Sequence, residues 1–187
     1  KSYGNIGNVL DDMGKPEEAL VQLRKGLELE IKILGQEHPD VAASCNNIGV
    51  VYQRKGDYDN ALLQHQRALE IRTRVFGSDH PSVSGSYNNI GSVYRKKGDL
   101  ENALLQYQRA LELFTQVGGH DCPSVADTYN NIGVVYKEKG DLENALLQYQ
   151  RALEIRTRVY GQEHPDVADS YNNIGVVYKE KGDLENA

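Results

Sequence analysis

The sequence predicts an all-α solenoid of antiparallel helix hairpins, and three observations predict it. The tetrapeptide Asn-Asn-Ile-Gly at 46–49 returns at 88–91, 130–133 and 172–175, a constant step of about 42 residues. Within each step, apolar residues recur at helical spacing along two consecutive segments, and no alternating β-rich segment interrupts them. Pro39, Pro81, Pro123 and Pro165 recur at the same step, where a helix can start without losing a hydrogen bond. A fixed period in this range marks a stack of small units, none of which can bury its apolar face alone. Such a stack offers a binding surface rather than a catalytic pocket.

In order along the chain, residues 1–37 read as a partial repeat with a fainter copy of the motif, Gly4-Asn5-Ile6-Gly7. Repeats 38–79, 80–121 and 122–163 follow, and 164–187 is a second partial repeat. Together they predict a single solenoid domain of about 4.5 repeats. Lys1 begins inside a repeat, and Ala187 stops early in a helix that the other copies continue. A fragment of a longer array, or an array with disordered flanks, is therefore expected.

The repeat from residue 80 shows how one unit is built. His80 or its neighbour caps a helix that starts at Pro81, and Val83, Tyr87, Ile90, Gly91 and Tyr94 share one face of it. Gly98 ends that helix and the Asp99 carboxylate caps the next. Leu100, Ala103, Leu104, Tyr107, Leu111, Phe114 and Val117 form a second stripe, closed by Gly119 as Gly77 and Gly161 close their copies. The hairpins pair helices of roughly 16 and 19 residues. Glu70–Arg74 and Glu154–Arg158 are i,i+4 pairs on second helices. Gly118 stands where other repeats have Leu34, Phe76 and Tyr160, so this helix is expected to end early or fray.

Composition narrows the function. The net charge of −6 disfavours a nucleic-acid partner. No apolar run is long enough to span a bilayer, and no membrane partner is expected. Cys45 replaces Tyr87, Tyr129 and Tyr171 and reads as a small core residue, whereas Cys122 lies in a loop. Two cysteines in unlike positions suggest a reducing, cytoplasmic location.

The histidines are the natural suspects for chemistry. His38, His80 and His164 recur one or more repeats apart, on the order of 10 Å per repeat, so they cannot share an ion whose ligands lie about 2 Å away. His65 replaces Tyr107 and Tyr149 on the buried stripe and reads as a packed residue. No nucleophile–base arrangement and no phosphate-cradling glycine loop is present. The expectation is no enzyme, no catalytic residues, no cofactor and no metal.

The period alone fits the HEAT and armadillo range better than a unit of about 34 residues. The residue pattern decides otherwise. Tyr87-x-x-Ile90-Gly91-x-x-Tyr94, then Ala103 with Tyr107, then Ala110, resembles the tetratricopeptide signature. With His-Pro-Asp-Val at 38–41 and 164–167, and Arg-Ala-Leu-Glu-Ile-Arg at 67–72 and 151–156, it resembles the longer repeats of kinesin light chain. The resemblance implies a right-handed superhelix whose first helices line a concave groove. It covers essentially the whole chain, although the copies are unusually alike: 129–145 and 171–187 are identical, as are 98–112 and 140–154.

By that resemblance the groove rows are Asn46, Asn88, Asn130 and Asn172; Val50, Ser92, Val134 and Val176; Gln53, Arg95, Lys137 and Lys179; and Arg54 and Lys96 with Glu138 and Glu180. The spacing itself puts each set on one helical stripe. The first row supplies amide donors and acceptors suited to an extended peptide backbone. The second asparagine of each pair, Asn47, Asn89, Asn131 and Asn173, points about 100° away and is expected to bond between adjacent helices. Arg54, Arg95 and Lys96 suggest an acidic residue in the ligand, and kinesin light chain uses such a groove for peptides that combine an aromatic with acidic residues. Repeat one adds Asp11 and Asp12, and Asp127 and Asp169 enter further on. A co-chaperone clamp for a C-terminal carboxylate is not expected, because Asn8 alone matches it, beside Gly4 in place of a lysine.

The leading expectation is a protein–protein interaction scaffold that binds an extended peptide or partner segment. The alternative is a structural array that self-associates, possible end-to-end contacts included, or a consensus-like array made to study repeat folding, with no dedicated ligand.

Overall fold

The computed structural model describes residues 2–182. Among these, nine helices follow one another: α1 (Ser2–Asp12), α2 (Pro16–Leu34), α3 (Pro39–Arg54), α4 (Tyr58–Phe76), α5 (Pro81–Lys97), α6 (Leu100–Gly118), α7 (Pro123–Glu138), α8 (Leu142–Tyr160) and α9 (Pro165–Lys181). No strand occurs among the described residues. The architecture is an all-α helical repeat solenoid. The chain divides into two compact units, Lys1–Lys97 and Gly98–Ala187. In each unit every helix packs against the next in sequence. The expected helix after Gly182 lies outside the described residues.

Local chemistry sets the helix boundaries. His38 and His164 sit before Pro39 and Pro165, and their Nδ1 atoms accept from the backbone N–H of Asp40 and Asp166 at 3.1 and 3.2 Å. His80 does the same for Ser82 at 3.2 Å. Asp57, Asp99 and Asp141 each accept the N–H three residues on, at 3.3, 3.2 and 3.1 Å. The side-chain amides of Asn60, Asn102 and Asn144 donate back to them at 2.8, 2.7 and 2.7 Å. A cap of this kind is worth about 1 kcal/mol.

Within each unit the core lies between the helices of a pair and between successive pairs. In the first unit it includes Leu23, Leu27, Val41, Ala42, Cys45, Ile48, Val51, Ala61, Ala68 and Ile71. In the second, Val125, Ala126, Ala152 and Ile155 form one cluster, and Ala145, Tyr149, Ile174 and Val177 another. The motif glycines permit this approach. A Cβ on Gly49 would sit 2.8 Å from the His65 ring, and one on Gly133 would sit 2.7 Å from the Tyr149 ring. His65 is thus the packed residue its register predicts, 1% exposed.

Three expectations are corrected. Helix α6 does not end early: it spans 19 residues, like α4 and α8, and includes Gly118. Gly119, at φ 76°, donates its N–H to Thr115 O at 3.0 Å and caps the last turn. Cys122 fills the space beside Gly118, whose Cβ would lie 3.1 Å from its Sγ. In the neighbouring copies that space holds stacked rings, Phe76 on His80 and Tyr160 on His164, with centroids 4.4 and 4.3 Å apart. The second correction is Val117, which is exposed at the turned-out end of its stripe while Val93, Ser84 and Ser86 are buried. Third, Arg158 does meet Glu154 at 2.6 Å, but Arg74 reaches back to Glu37, as Arg158 also reaches Asp121.

A ladder of ion pairs ties the end of each first helix to the start of the second helix before it. Lys55–Glu17, Lys97–Asp59, Lys139–Glu101 and Lys181–Glu143 lie 2.5, 2.6, 2.5 and 3.0 Å apart. The signal was present in the sequence as opposite charges recurring at one fixed separation. The carboxylates of these pairs are largely exposed, so solvent and salt screen them and they add little to stability.

Candidate peptide-binding groove

The predicted site residues all fall on first helices: Asn46, Val50, Gln53 and Arg54 on α3, and Asn88, Ser92, Arg95 and Lys96 on α5, in the first unit. Asn130, Val134 and Lys137 lie on α7 and Asn172, Val176 and Lys179 on α9, in the second. In the first unit they are half-buried, except Arg54 and Lys96, which are exposed. On α9 all three are exposed. Two pockets of about 250 and 280 Å³ line the α1–α3 face and share Asn8 and Asn47.

The amide rows are partly spent on the fold. Asn89 Nδ2 donates to Asn46 Oδ1 at 2.7 Å, and Asn173 Nδ2 donates to Asn130 Oδ1 at 2.8 Å. In these two pairs the second asparagine therefore bonds between adjacent first helices, as its direction predicts. Its acceptor is the first-row amide, so the oxygen expected to face a ligand is already engaged. Asn46 Oδ1 also lies 3.2 Å from His65 Nδ1. A carboxamide oxygen can only accept, so His65 carries its proton on Nδ1. Burial, reinforced by the Arg72 charge, pushes the His65 pKa down to about 4 and keeps the ring neutral. With these oxygens engaged, the donor half of the Asn46 and Asn130 amides is what a ligand carbonyl could still use.

The charged rows change more. Arg54 pairs with Asp11 at 2.5 Å and with Asp12 at 3.1 Å, and the Asp12 hydrogen bond leads the upward shift of its pKa. The expectation of an open cation at Arg54 therefore gives way to an internal ion pair across α1 and α3. Gln53 Nε2 donates to Ser92 Oγ at 2.9 Å, joining two predicted groove residues to each other. Lys137 lies 3.9 Å from Glu180.

A set that sequence reasoning missed sits on the second helices, at 30, 72, 114 and 156. Glu30 accepts from Ser44 Oγ at 2.6 Å. Arg72 donates to Ser86 Oγ at 2.7 Å and to Ser82 O at 3.4 Å. Arg156 donates to Ser170 Oγ at 2.9 Å, to Asp166 O at 3.1 Å and to Asp127 Oδ1 at 2.8 Å. Phe114 cannot hydrogen-bond in this way, and Thr128 turns to Ser124 O of its own helix at 2.7 Å. Asp127 corresponds to Ala43 two repeats earlier, and among the described residues no carboxylate meets Arg72. Burial holds the Arg72 guanidinium below its ordinary pKa. The available signal was a charged residue recurring inside an apolar stripe, with a hydroxyl at a fixed offset on the next helix.

Among the described residues no group of three or more His, Cys, Asp or Glu could hold a metal ion, and no helix is long and apolar enough to cross a membrane.

Stacked helix pairs with a polar, partly open first-helix face define a helical-repeat protein of the scaffold type. The tetratricopeptide-repeat family model matches residues 1–74, 40–116, 82–158 and 124–187, and the chain belongs to that family. No curated protein matches it. Among solved structures it is similar to BtubC (BKLC) from P. vanneervenii, at 29% identity and TM-score 0.83, over 97% of this chain and 72% of that one. It is also similar to a putative kinesin light chain with nearly identical repeats from Podosopora anserina, at 20% identity and TM-score 0.81, over 98% and 87% of the two chains. MamA shares the fold at 20% identity and TM-score 0.63, over 97% and 87%. Tetratricopeptide repeats are in general protein-interaction scaffolds, and the fold is typically non-enzymatic.

Proposed function

We propose that this chain acts as a single solenoid domain of about 4.5 repeats that binds an extended peptide along its first-helix face, with an acidic ligand residue at Arg72. One observation carries the reading: a half-buried guanidinium, oriented by Ser86 Oγ at 2.7 Å, meets no carboxylate among the described residues. Its counterpart Arg156 meets one at 2.8 Å, so a carboxylate fits this geometry. The amide hydrogens of Asn46 and Asn130 suit peptide carbonyls. In the first unit Val50 supplies apolar contact and Lys96 charge at the rim; Val134, Val176 and Lys179 hold the same rows in the second. The kinesin-light-chain likeness favours the same ligand chemistry, an aromatic beside acidic residues. A cytoplasmic setting belongs to this reading.

The test is retention of an acidic–aromatic peptide pool on the immobilised protein. Retention that falls on Arg72→Gln and on raising salt is expected. No retention, or retention indifferent to Arg72→Gln, overturns the reading. Self-association is the second reading. An exposed apolar residue recurs on the second helices, Val21 and Leu63 in one unit and Leu105 and Leu147 in the other, and favours it. Mass that grows with concentration in light scattering would select it.

A further inference from the structure

The Arg72 and Arg156 sites share an arginine on a second helix and a serine on the next first helix. Both arginines stand in the same place on a second helix, each donates to a serine hydroxyl of the following first helix, and each reaches a backbone carbonyl there. They differ on the preceding second helix, where Glu30, held by Ser44, stands before Arg72 and Phe114 before Arg156, and on the preceding first helix, where the position that gives Arg156 its Asp127 is Ala43 in the Arg72 copy. The Asp127 carboxylate is 59% exposed, whereas the Arg156 side chain it covers is 9% exposed. Arg72 remains half-buried without such a cover.

We infer that Asp127 is a specificity-determining residue: its carboxylate occupies the place of an acidic ligand residue at Arg156 and closes that site to acidic peptides, leaving Arg72 as the acceptor. The inference rests on the peptide-binding reading above. Its physical basis is direct competition. A carboxylate held on the same helical framework acts at high effective concentration, so a ligand from solution must displace it. Because Asp127 is on the rim and mostly solvated, removing it uncovers the guanidinium without opening the core. The Arg72 copy, with Ala43 at this position, shows that the fold holds such an arginine on a serine and a carbonyl alone.

The probe is a short fluorescein-labelled peptide with one tryptophan flanked by aspartates, titrated by anisotropy against wild type, Asp127→Ala, Asp127→Ala with Arg156→Gln, and Ala43→Asp. Circular dichroism confirms that each variant is helical, and Asp127→Asn replaces Asp127→Ala if the latter fails to fold. The inference expects one peptide per wild-type chain, two per Asp127→Ala chain, and one again when Arg156→Gln is added. Ala43→Asp, which copies the Asp127 arrangement onto Arg72, should weaken wild-type binding about tenfold. Wild-type binding together with no gain in Asp127→Ala overturns this inference and leaves the groove reading standing. Binding by Asp127→Ala alone, abolished by Arg156→Gln, overturns Arg72 as the acceptor, here and in the reading above, and supports only the closure of Arg156 by Asp127. Binding by none of the four overturns both.

Discussion

His65 should make the stability of the protein depend on acid in a way its tyrosine-bearing repeats do not. The ring is 1% exposed, donates from Nδ1 to Asn46, and packs its other edge against Gly49. Its buried Nε2 has no hydrogen-bond partner among the described residues, and the Arg72 charge lies nearby. A proton on Nε2 would therefore be unsolvated and repelled, which places the folded pKa at about 4 against an ordinary 6.5. The sign follows from linkage. Between these values the unfolded chain binds the proton and the folded chain does not, so stability is full above pH 6.5 and is lost as pH falls toward 4. At about 1.4 kcal/mol per pH unit, the loss totals about 3 kcal/mol. The assay is urea unfolding followed by circular dichroism from neutral pH down to about 4, on wild type and on His65→Gln. Carboxylates titrate in both proteins, so the difference in slope isolates His65. Parallel curves for the two proteins would refute the reasoning.

Other expected outcomes concern packing and charge. Gly133→Ala should destabilise the protein by about 1–3 kcal/mol, since its Cβ would lie 2.7 Å from the Tyr149 ring, whereas Gly85→Ala, with nothing within 4 Å, should stabilise it by up to about 1 kcal/mol; urea midpoints separate the two. Gly118→Phe together with Cys122→His should rebuild the ring stack of the neighbouring copies, and a double-mutant cycle should show about 0.5–1.5 kcal/mol of coupling in thermal unfolding. Arg54→Gln should leave acidic-peptide affinity unchanged, because Asp11 and Asp12 already hold that guanidinium, but should raise amide exchange in α1.

Much of this architecture was legible before any coordinates. The constant repeat step, the Pro39, Pro81, Pro123 and Pro165 starts, the Asp99-type caps and the closing glycines each act within a few residues of themselves. Local hydrogen bonding and helical periodicity determine them, and both can be read in one dimension. The packed place of His65 was legible for the same reason, since its register is that of Tyr107 and Tyr149. The candidate site was read less well. Its positions lie on the expected helices, but Arg54 is spent on Asp11 and Asp12, and the Asn46 and Asn130 amide oxygens are spent on second-row amides. Arg72 and Arg156 lie inside an apolar stripe, where helical spacing alone does not mark them as open polar groups.

By itself the sequence determined that this is an array of helix pairs, where each helix begins, and most of each buried face, while the end of α6 and the exposure of Val117 came from the structure. Only the tertiary structure decided which polar groups of that array remain open to a partner. The groups that engage them come from other helices well separated along the chain, as with Arg156 and Asp127 or Asn89 and Asn46. Whether two such side chains meet depends on distances of a few tenths of an ångström in packed side chains, which no spacing rule encodes.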